Sequence, residues 1–544
     1  MPVVRIELPR FSRMVGADGK RILDRLPYLG LDIEGLDRES VRVEYSPNRP
    51  DFGTDYGIAR ALRGLLGKEL GPPSFSLSPS GITVAVDRRL APIRPFIACV
   101  SAEGLRMDGE DVRQLISLQE DLHNGLGRRR KRVAIGLHDM KAISQPIDYV
   151  ARTTSFRFRP LQGKRDMSLS EILSETDQGK QYGGFFGRTR LLPIISDSKG
   201  LVLSFPPVIN GNGTKVSAKT TSLFVDVTST DKRAGDDVLA VLATTLAAMG
   251  AKIGSVAINY PDERRVTPDL KGTWIPLDLR LLERVIGLGL SKGETIKCLR
   301  RSRLGVIGNR VLVPRYRIDM IHAVDVAEEV ALGYGFDRVG SLYPESRQPG
   351  SFNSFNQFLE RTADLMSGSG MVELMTYELV DDCMLYENFG RSQERRIVVE
   401  NPRSVEHSTL RDSVLPSMMA ALGRNVKEDY PQRVFEVGRV YLREKGGVAE
   451  RWRLGCLIAH SQSSFTESKM HLESLVRLLT EREALTKQSS HWAFAEGRTA
   501  SVSVGREELG FVGEVKPEAV SAFRLGLPVS GFELDVSSLY KQLK

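Results

Sequence analysis

The sequence predicts an α+β multidomain protein. Short β-like runs recur along the chain, helix-like repeats at three- and four-residue spacing separate them, and the 544 residues suggest three or four domains rather than one core. The hydrophobic fraction of 41 % is ample for packed cores and argues against a fibrous or low-complexity chain.

The elements follow in order. Residues 3–8 read as a strand, 21–26 as a helix and 41–45 as a second strand. The cluster Ser46-Pro47-Asn48-Arg49-Pro50-Asp51 is a turn by composition, and it leads into a helix over 55–66 with Ile58, Ala61, Leu62 and Leu65 on one face. Pro72-Pro73 and the Ser/Pro stretch to Ser80 read as a linker, so residues 1–84 form a first domain. Residues 85–265 are mixed α/β. Strands fall at 133–135, 193–195, 201–204 and 223–227, with Asp197-Ser198-Lys199-Gly200 as a hairpin turn and a long apolar helix over 237–249.

Residues 266–345 make a small unit. Asp278 caps a helix over 279–286, Ser291-Lys292-Gly293-Glu294 is a capping box for a second, and Gly308-Asn309 sits between two apolar pairs as a hairpin. Two helices and a small wing give a winged helix-turn-helix pattern. Residues 346–544 return to α/β, with helices over 352–367 and 416–426 and strands at 433–436, 453–459, 500–504 and 532–536.

No apolar run approaches the ~18 residues of a membrane span, and the start lacks the apolar stretch of a signal peptide, so a cytoplasmic chain is expected. Cys99, Cys298, Cys383 and Cys456 are scattered without zinc or redox spacing, and the seven histidines form no HExxH or zinc-deaminase pattern. The net charge of +8 favours a polyanionic partner. The densest basic run, Arg128-Arg129-Arg130-Lys131-Arg132, is either the solvated start of a strand or a phosphate contact.

The acidic constellation is the sharpest chemical signal. Asp319, Asp325, Glu328 and Glu329 fall within eleven residues, the last three at the start of a helix over 324–334. Residues three and four apart share a helix face, and oxygen-only donors suit a hard cation such as magnesium. The alternative is a capping-box-like helix start stabilised by the dipole.

Several blocks together resemble one family. Arg317-Ile318-Asp319, Asp325-x-x-Glu328-Glu329 and Gly333-Tyr334-Gly335 look like the magnesium-binding end of the helix-turn-helix module in phenylalanyl-tRNA synthetase beta chains. Tyr45 to Asp51 resembles that family's N-terminal NRPD block. Val133 to Asp139 and Pro206-Pro207-Val208-Ile209-Asn210-Gly211 resemble its editing module. Asn401-Pro402, Leu410-Arg411-x-Ser413-x-Leu415-Pro416 and Val434-Phe435-Glu436-Val437-Gly438 resemble its catalytic-like module. The blocks stand in family order and span nearly the whole chain. The form looks archaeal or eukaryotic, because Pro47-Asn48-Arg49 comes too early for the bacterial inserted barrel and the sequence to Lys544 leaves no room for the bacterial C-terminal domain.

The resemblance implies an N-terminal structural domain over 1–84, an α/β editing module over 85–265, a winged helix-turn-helix-like magnesium-binding module over 266–345, and a catalytically inactive class II synthetase-like antiparallel sheet module over 346–544. It implies a beta subunit that, with an alpha subunit in a complex of two alpha and two beta chains, charges phenylalanine tRNA using ATP. The adenylation site is expected on the alpha subunit, since Ser530 to Leu534 carries no ATP-clamping arginine. Arg433 and Arg524 are then structural or interface residues. Magnesium is expected at Asp319, Asp325, Glu328 and Glu329.

A hydrophobic pocket rejects an added hydroxyl only about 10²-fold, so tyrosine needs a second, proofreading site. The resemblance maps its catalytic residues onto Asn210, Asp226 and Thr228 and its substrate-binding residues onto Ile195, Ser204 and Lys215. Asp226 and Thr228 are two apart on one strand and share a face, which is either a cleft wall or a solvated side. Lys215 stands where relatives tend to have arginine, keeping the charge without the planar fork. With no Ser-His-Asp or Cys-His arrangement evident, hydrolysis by a positioned water is expected. The competing functions are a stand-alone tRNA deacylase and a winged-helix nucleic-acid-binding regulator.

Overall fold

In the computed structural model, which describes residues 1–187, 189–344 and 349–543, Val4 and Ile6 alternate with charged neighbours and place the strand Val3–Glu7 half into a core. This strand pairs antiparallel with Ser40–Glu44, which carries Asp32–Leu36 on its other side. Helices Leu8–Val15 and Asp55–Leu65 close the core with Phe11, Val15, Ile58 and Leu62. Sequence reading missed the first of these helices. Its proline lies in the first turn, where the missing N–H costs no intrahelical bond.

The expected linker requires correction. Its second half is the strand Leu77–Val86, which pairs parallel with Lys252–Asn259 and with Ile147–Thr153. Ser78, Pro79, Ser80 and Gly81 hide the alternation, and the pairing partners lie far along the chain. The boundary expected at 84 therefore falls inside a strand, and that at 265 inside Arg264–Thr267. The boundary at 345/346 lies outside the described residues. By contacts the chain divides between 342 and 343 into two compact units.

Most of the first unit is built on a ten-stranded mixed sheet. Its path runs Ile209–Asn210, Val202–Phe205, Leu191–Asp197, Ile147–Thr153, Leu77–Val86, Lys252–Asn259, Phe96–Glu103, Ser222–Ser229 and Val133–Asp139, with Arg264–Thr267 branching from Lys252–Asn259. Helices Gly109–Asn124 and Lys232–Ala248 cover one face through Leu115, Leu118, Leu122, Val238 and Leu242, packed on Val100, Val225, Val227 and Ile135. The second helix starts before the expected residue 237 because Asp231 caps it, accepting from the Ala234 N–H at 3.1 Å. Residues of Ser222–Ser229 that face away from these helices, Phe224 among them, meet Cys99, Tyr149 and Ile195.

Helices Leu279–Ile286 and Lys292–Arg301 pack with Ala323–Tyr334 on a three-stranded sheet formed by Thr273–Pro276, Gly305–Ile307 and Arg310–Val313. The second unit is a seven-stranded sheet, antiparallel except for the short first strand Val372–Glu373. Helices Ser354–Gly368 and Phe465–Thr480 cover one face and Leu415–Arg424 with Pro517–Ala522 the other.

Candidate functional site

All eight residues of the strand Ser222–Ser229 are buried, which excludes a solvated side for Asp226 and Thr228. Asp226 lies between Cys99 on one neighbouring strand and Gly136 on the other. Only a glycine fits opposite it: a Cβ at Gly136 would stand 2.0 Å from Asp226 Oδ2 and 2.5 Å from His138 Nε2. The room is used by a hydrogen bond of 2.7 Å between His138 Nε2 and Asp226 Oδ2. His138 Nδ1 is in turn 2.8 Å from Thr214 Oγ1. Thr214 follows the last strand at one end of the sheet path, and His138 lies in the strand at the other end, so this bond draws the two ends together.

Between those ends lies a cleft of about 330 Å³, a size usual for small-molecule sites. Ser204, Asn210 and Asp226 line it, with Ala134 and Ile135 of the edge strand and Glu120, His123 and Arg130 on the helix side. Ser204 and Asn210 are direct partners across two antiparallel strands. Asp226 Oδ1 has no hydrogen-bond partner among the described residues, although the side chain is 1 % exposed. A buried carboxylate oxygen without a partner, on the wall of a cleft, is an acceptor waiting for a ligand or water.

The facing wall is electrostatically set. The Ile135 N–H donates to His123 Nε2 at 2.8 Å, which puts the ring proton on Nδ1, toward Glu120 at 3.2 Å. Burial lowers the His123 imidazole, against the pull of Glu120. Arg130 donates to Glu120 at 2.8 Å and to the Val208 carbonyl at 3.2 Å. Burial pushes the Glu120 carboxyl up, but the bonds from His123 and the charge of Arg130 outweigh it and leave it at about 2.

The other three expected residues lie outside the cleft lining. Ile195 is fully buried in the core cluster of Phe224 and Tyr149, beside Ser204, its partner in register. Lys215 is exposed, directly after Thr214. Thr228 shares the face of Asp226 but is taken up by Arg94, whose Nε donates to Thr228 Oγ1 at 2.8 Å and Nη2 to the Thr228 carbonyl at 2.7 Å. Burial lowers the Arg94 guanidinium to about 10, with Tyr149 and Asp226 acting against that fall. Sequence reading assigned no role to Arg94, Glu120, His123, His138 or Thr214. The one available signal was a histidine inside the apolar run 133–137 and its continuation, a position that needs a polar partner. The basic run splits likewise: Arg130 and Arg132 turn to Glu120 and Asp231, while Arg128 and Arg129 stay exposed.

The acidic constellation is organised by a buried arginine. Arg317 binds Asp319 through Nε at 2.9 Å and Nη2 at 2.7 Å, and it also pairs with Glu329. Asp325 Oδ2 accepts from the Ile321 and His322 N–H groups, both at 2.6 Å, so the helix start is capped from His322 rather than through an Asp325/Glu328 box. Among the described residues no group of three or more His, Cys, Asp or Glu is arranged to hold a metal. The donor chemistry nevertheless fits a hard cation. Glu328 is exposed at the rim, and burial together with the charge of Glu329 raises its carboxyl against the pull of Arg317. A nearby cation would relieve that crowding.

The second unit carries a larger cleft of about 620 Å³ that holds two arginine–carboxylate pairs. Arg391 pairs bidentately with Asp412, and Arg453 with Glu533 at 2.7 Å. Glu533 also accepts from the Ser413 hydroxyl and the Val414 N–H. The strand Val529–Asp535 thus holds Glu533 tied on three sides.

Two family models match the chain: "Phenylalanyl tRNA synthetase beta chain CLM domain" over residues 341–536 and "tRNA synthetase B5 domain" over 275–336. A phenylalanine–tRNA ligase beta subunit of Archaeoglobus fulgidus is 37 % identical over 99 % of both chains. That of Methanococcoides burtonii is 34 % identical over 99 % of this chain and 100 % of its own. Among solved structures, an N-terminal fragment of the phenylalanyl-tRNA synthetase beta subunit from Pyrococcus horikoshii aligns with a TM-score of 0.59 at 33 % identity, covering 62 % of this chain and 100 % of the fragment.

Proposed function

As the chain belongs to the family of phenylalanine–tRNA ligase beta subunits, we propose that it proofreads as well as assists charging: joined to an alpha chain, it hydrolyses tyrosyl-tRNA of the phenylalanine type in the cleft around Asp226. The observation that carries this reading is the unpartnered Asp226 Oδ1 in a cleft that also offers Ser204 and Asn210. These groups hold the tyrosine hydroxyl or a water. The water adds to the ester carbonyl, the bond to the ribose oxygen breaks, and tyrosine and free tRNA leave. Thr228 acts through Arg94 on the same face as Asp226, Ile195 packs beside Ser204, and exposed Lys215 is available to the nucleic acid. In this reading the chain comprises structural, editing, winged helix-turn-helix-like and class II-like modules.

Phenylalanine activation with ATP belongs to the alpha chain in this reading. Its support is the second unit's cleft, where Arg391 and Arg453 are spent on Asp412 and Glu533. Two alpha and two beta chains assemble in the cytoplasm, and the second unit buries an interface on the order of 2,000 Å² or more against its partners. Magnesium, when bound, would be held by Asp319, Asp325, Glu328 and Glu329 with retained waters and would neutralise their charge. The deciding experiment uses the assembled enzyme. Asp226→Ala should let tyrosyl-tRNA accumulate while phenylalanine activation stays nearly unchanged. Persistence of wild-type tyrosyl-tRNA hydrolysis in that variant would refute the site.

A further inference from the structure

Asp226 is bonded at one oxygen and unpartnered at the other. Its Oδ2 is bonded to His138 Nε2, whereas Oδ1 has no protein partner among the described residues. A carboxylate only accepts, so Nε2 carries the ring proton. In the neutral imidazole Nδ1 then accepts, and the Thr214 hydroxyl, 2.8 Å away, donates to it. His138 is fully buried and Thr214 is 1 % exposed. Neither lines the cleft, so the hydroxyl is no nucleophile: the chain runs inward from Asp226 and ends in the core.

We propose that His138 and Thr214 are positioning residues for hydrolysis in this cleft: they hold Asp226 in one rotamer, with Oδ2 saturated and Oδ1 turned to the substrate or its water. The proposal rests on the deacylase reading above. Thr214 fixes the tautomer of His138, and His138 fixes the carboxylate, so neither needs to touch the substrate. The arrangement also explains why glycine stands at 136, where any side chain would enter the Asp226–His138 bond. The other titratable and charged groups acting on Asp226 are Arg94, Cys99 and Tyr149 inside the sheet, with Glu120, His123 and Arg130 on the facing wall of the cleft.

The test compares His138→Phe, His138→Gln and Thr214→Val in the assembled alpha–beta enzyme, measuring tyrosyl-tRNA hydrolysis between about pH 5 and 8. A glutamine amide can stand where Nε2 stood and donate to Oδ2; a phenyl ring cannot. His138→Phe should lower kcat about 10- to 100-fold, the consequence of removing a buried hydrogen bond to a charged group, with KM nearly unchanged. His138→Gln should recover most of the rate, and Thr214→Val should lose less than His138→Phe. Normal phenylalanine charging in each variant reports folding and assembly. Equal losses for Phe and Gln would reduce His138 to packing and overturn the proposal. A wild-type enzyme that leaves tyrosyl-tRNA intact would remove the deacylase reading and the proposal with it, an outcome told apart by the wild-type measurement alone.

Discussion

Gly136→Ala concentrates the geometry of the cleft into one methyl group. The backbone at 136 is an ordinary strand, so alanine brings no left-handed strain and the effect is purely one of space. The new Cβ would lie 2.0 Å from Asp226 Oδ2 and 2.9 Å from its Cγ, while ordinary contacts begin at 3.4 Å. The carboxylate must retreat by more than an ångström, which breaks its 2.7 Å bond to His138. Overpacking costs about 1–3 kcal/mol, and a lost bond to a buried charged group about 1.5–3 kcal/mol. Together the local structure should weaken by about 2–5 kcal/mol, since the two costs overlap in part. Hydrogen exchange of Val133–Asp139 and Ser222–Ser229 reads this directly, avoiding a global unfolding curve that a multidomain chain does not follow as two states. Hydrolysis of tyrosyl-tRNA should fall about 100-fold or more, with phenylalanine activation retained. Gly109→Ala is the control: its Cβ meets nothing within 4 Å, and the cost should stay within about 0.5 kcal/mol. Unchanged exchange and full hydrolysis in Gly136→Ala would refute the argument that Asp226 needs its present position.

Three further predictions follow from other sites. Arg94→Met strands the Thr228 carbonyl and hydroxyl in the core and should destabilise the sheet by about 2–4 kcal/mol, visible as faster exchange of Ser222–Ser229; exchange at the wild-type rate would show that Arg94 contributes no net stability. Burial and the charges of Arg391 and Arg453 push the His491 imidazole down to about 3, where it stacks on Phe511 at 4.3 Å. The unfolded chain then binds a proton that the folded one does not between about pH 6.5 and 3, so stability falls as pH drops through that window, by up to about 1.4 kcal/mol per pH unit; His491→Phe should flatten this dependence in acid unfolding of the chain, and an unaltered slope would rule it out. Glu328→Gln removes a carboxylate for which the described structure shows no hydrogen bond or salt bridge, so magnesium-dependent thermal stabilisation should weaken without harm to the metal-free protein; equal stabilisation in both would leave the acidic cluster as a helix start organised by Arg317.

The sequence by itself determined the local elements wherever the chemistry is local. Asp278 and the Ser291/Glu294 box open their helices, Gly308-Asn309 turns the wing, and Asp197 with Gly200 turns the hairpin toward Ser204, because caps and turns are settled by neighbours a few residues apart. It also placed Asp226 and Thr228 on one face through the period of a strand. Only the tertiary structure decided what that face meets. Leu77–Val86 is a strand because partners far along the chain complete its hydrogen bonds, against its own composition. Thr228 lost its expected place in the cleft to Arg94, and Asp319 and Glu329 were drawn to Arg317, since a buried charge takes the nearest partner the fold supplies. The Thr214–His138–Asp226 chain joins segments 76 and 88 residues apart. No spacing rule reaches that far, because the contact exists only after the two ends of the sheet have been brought together around the cleft.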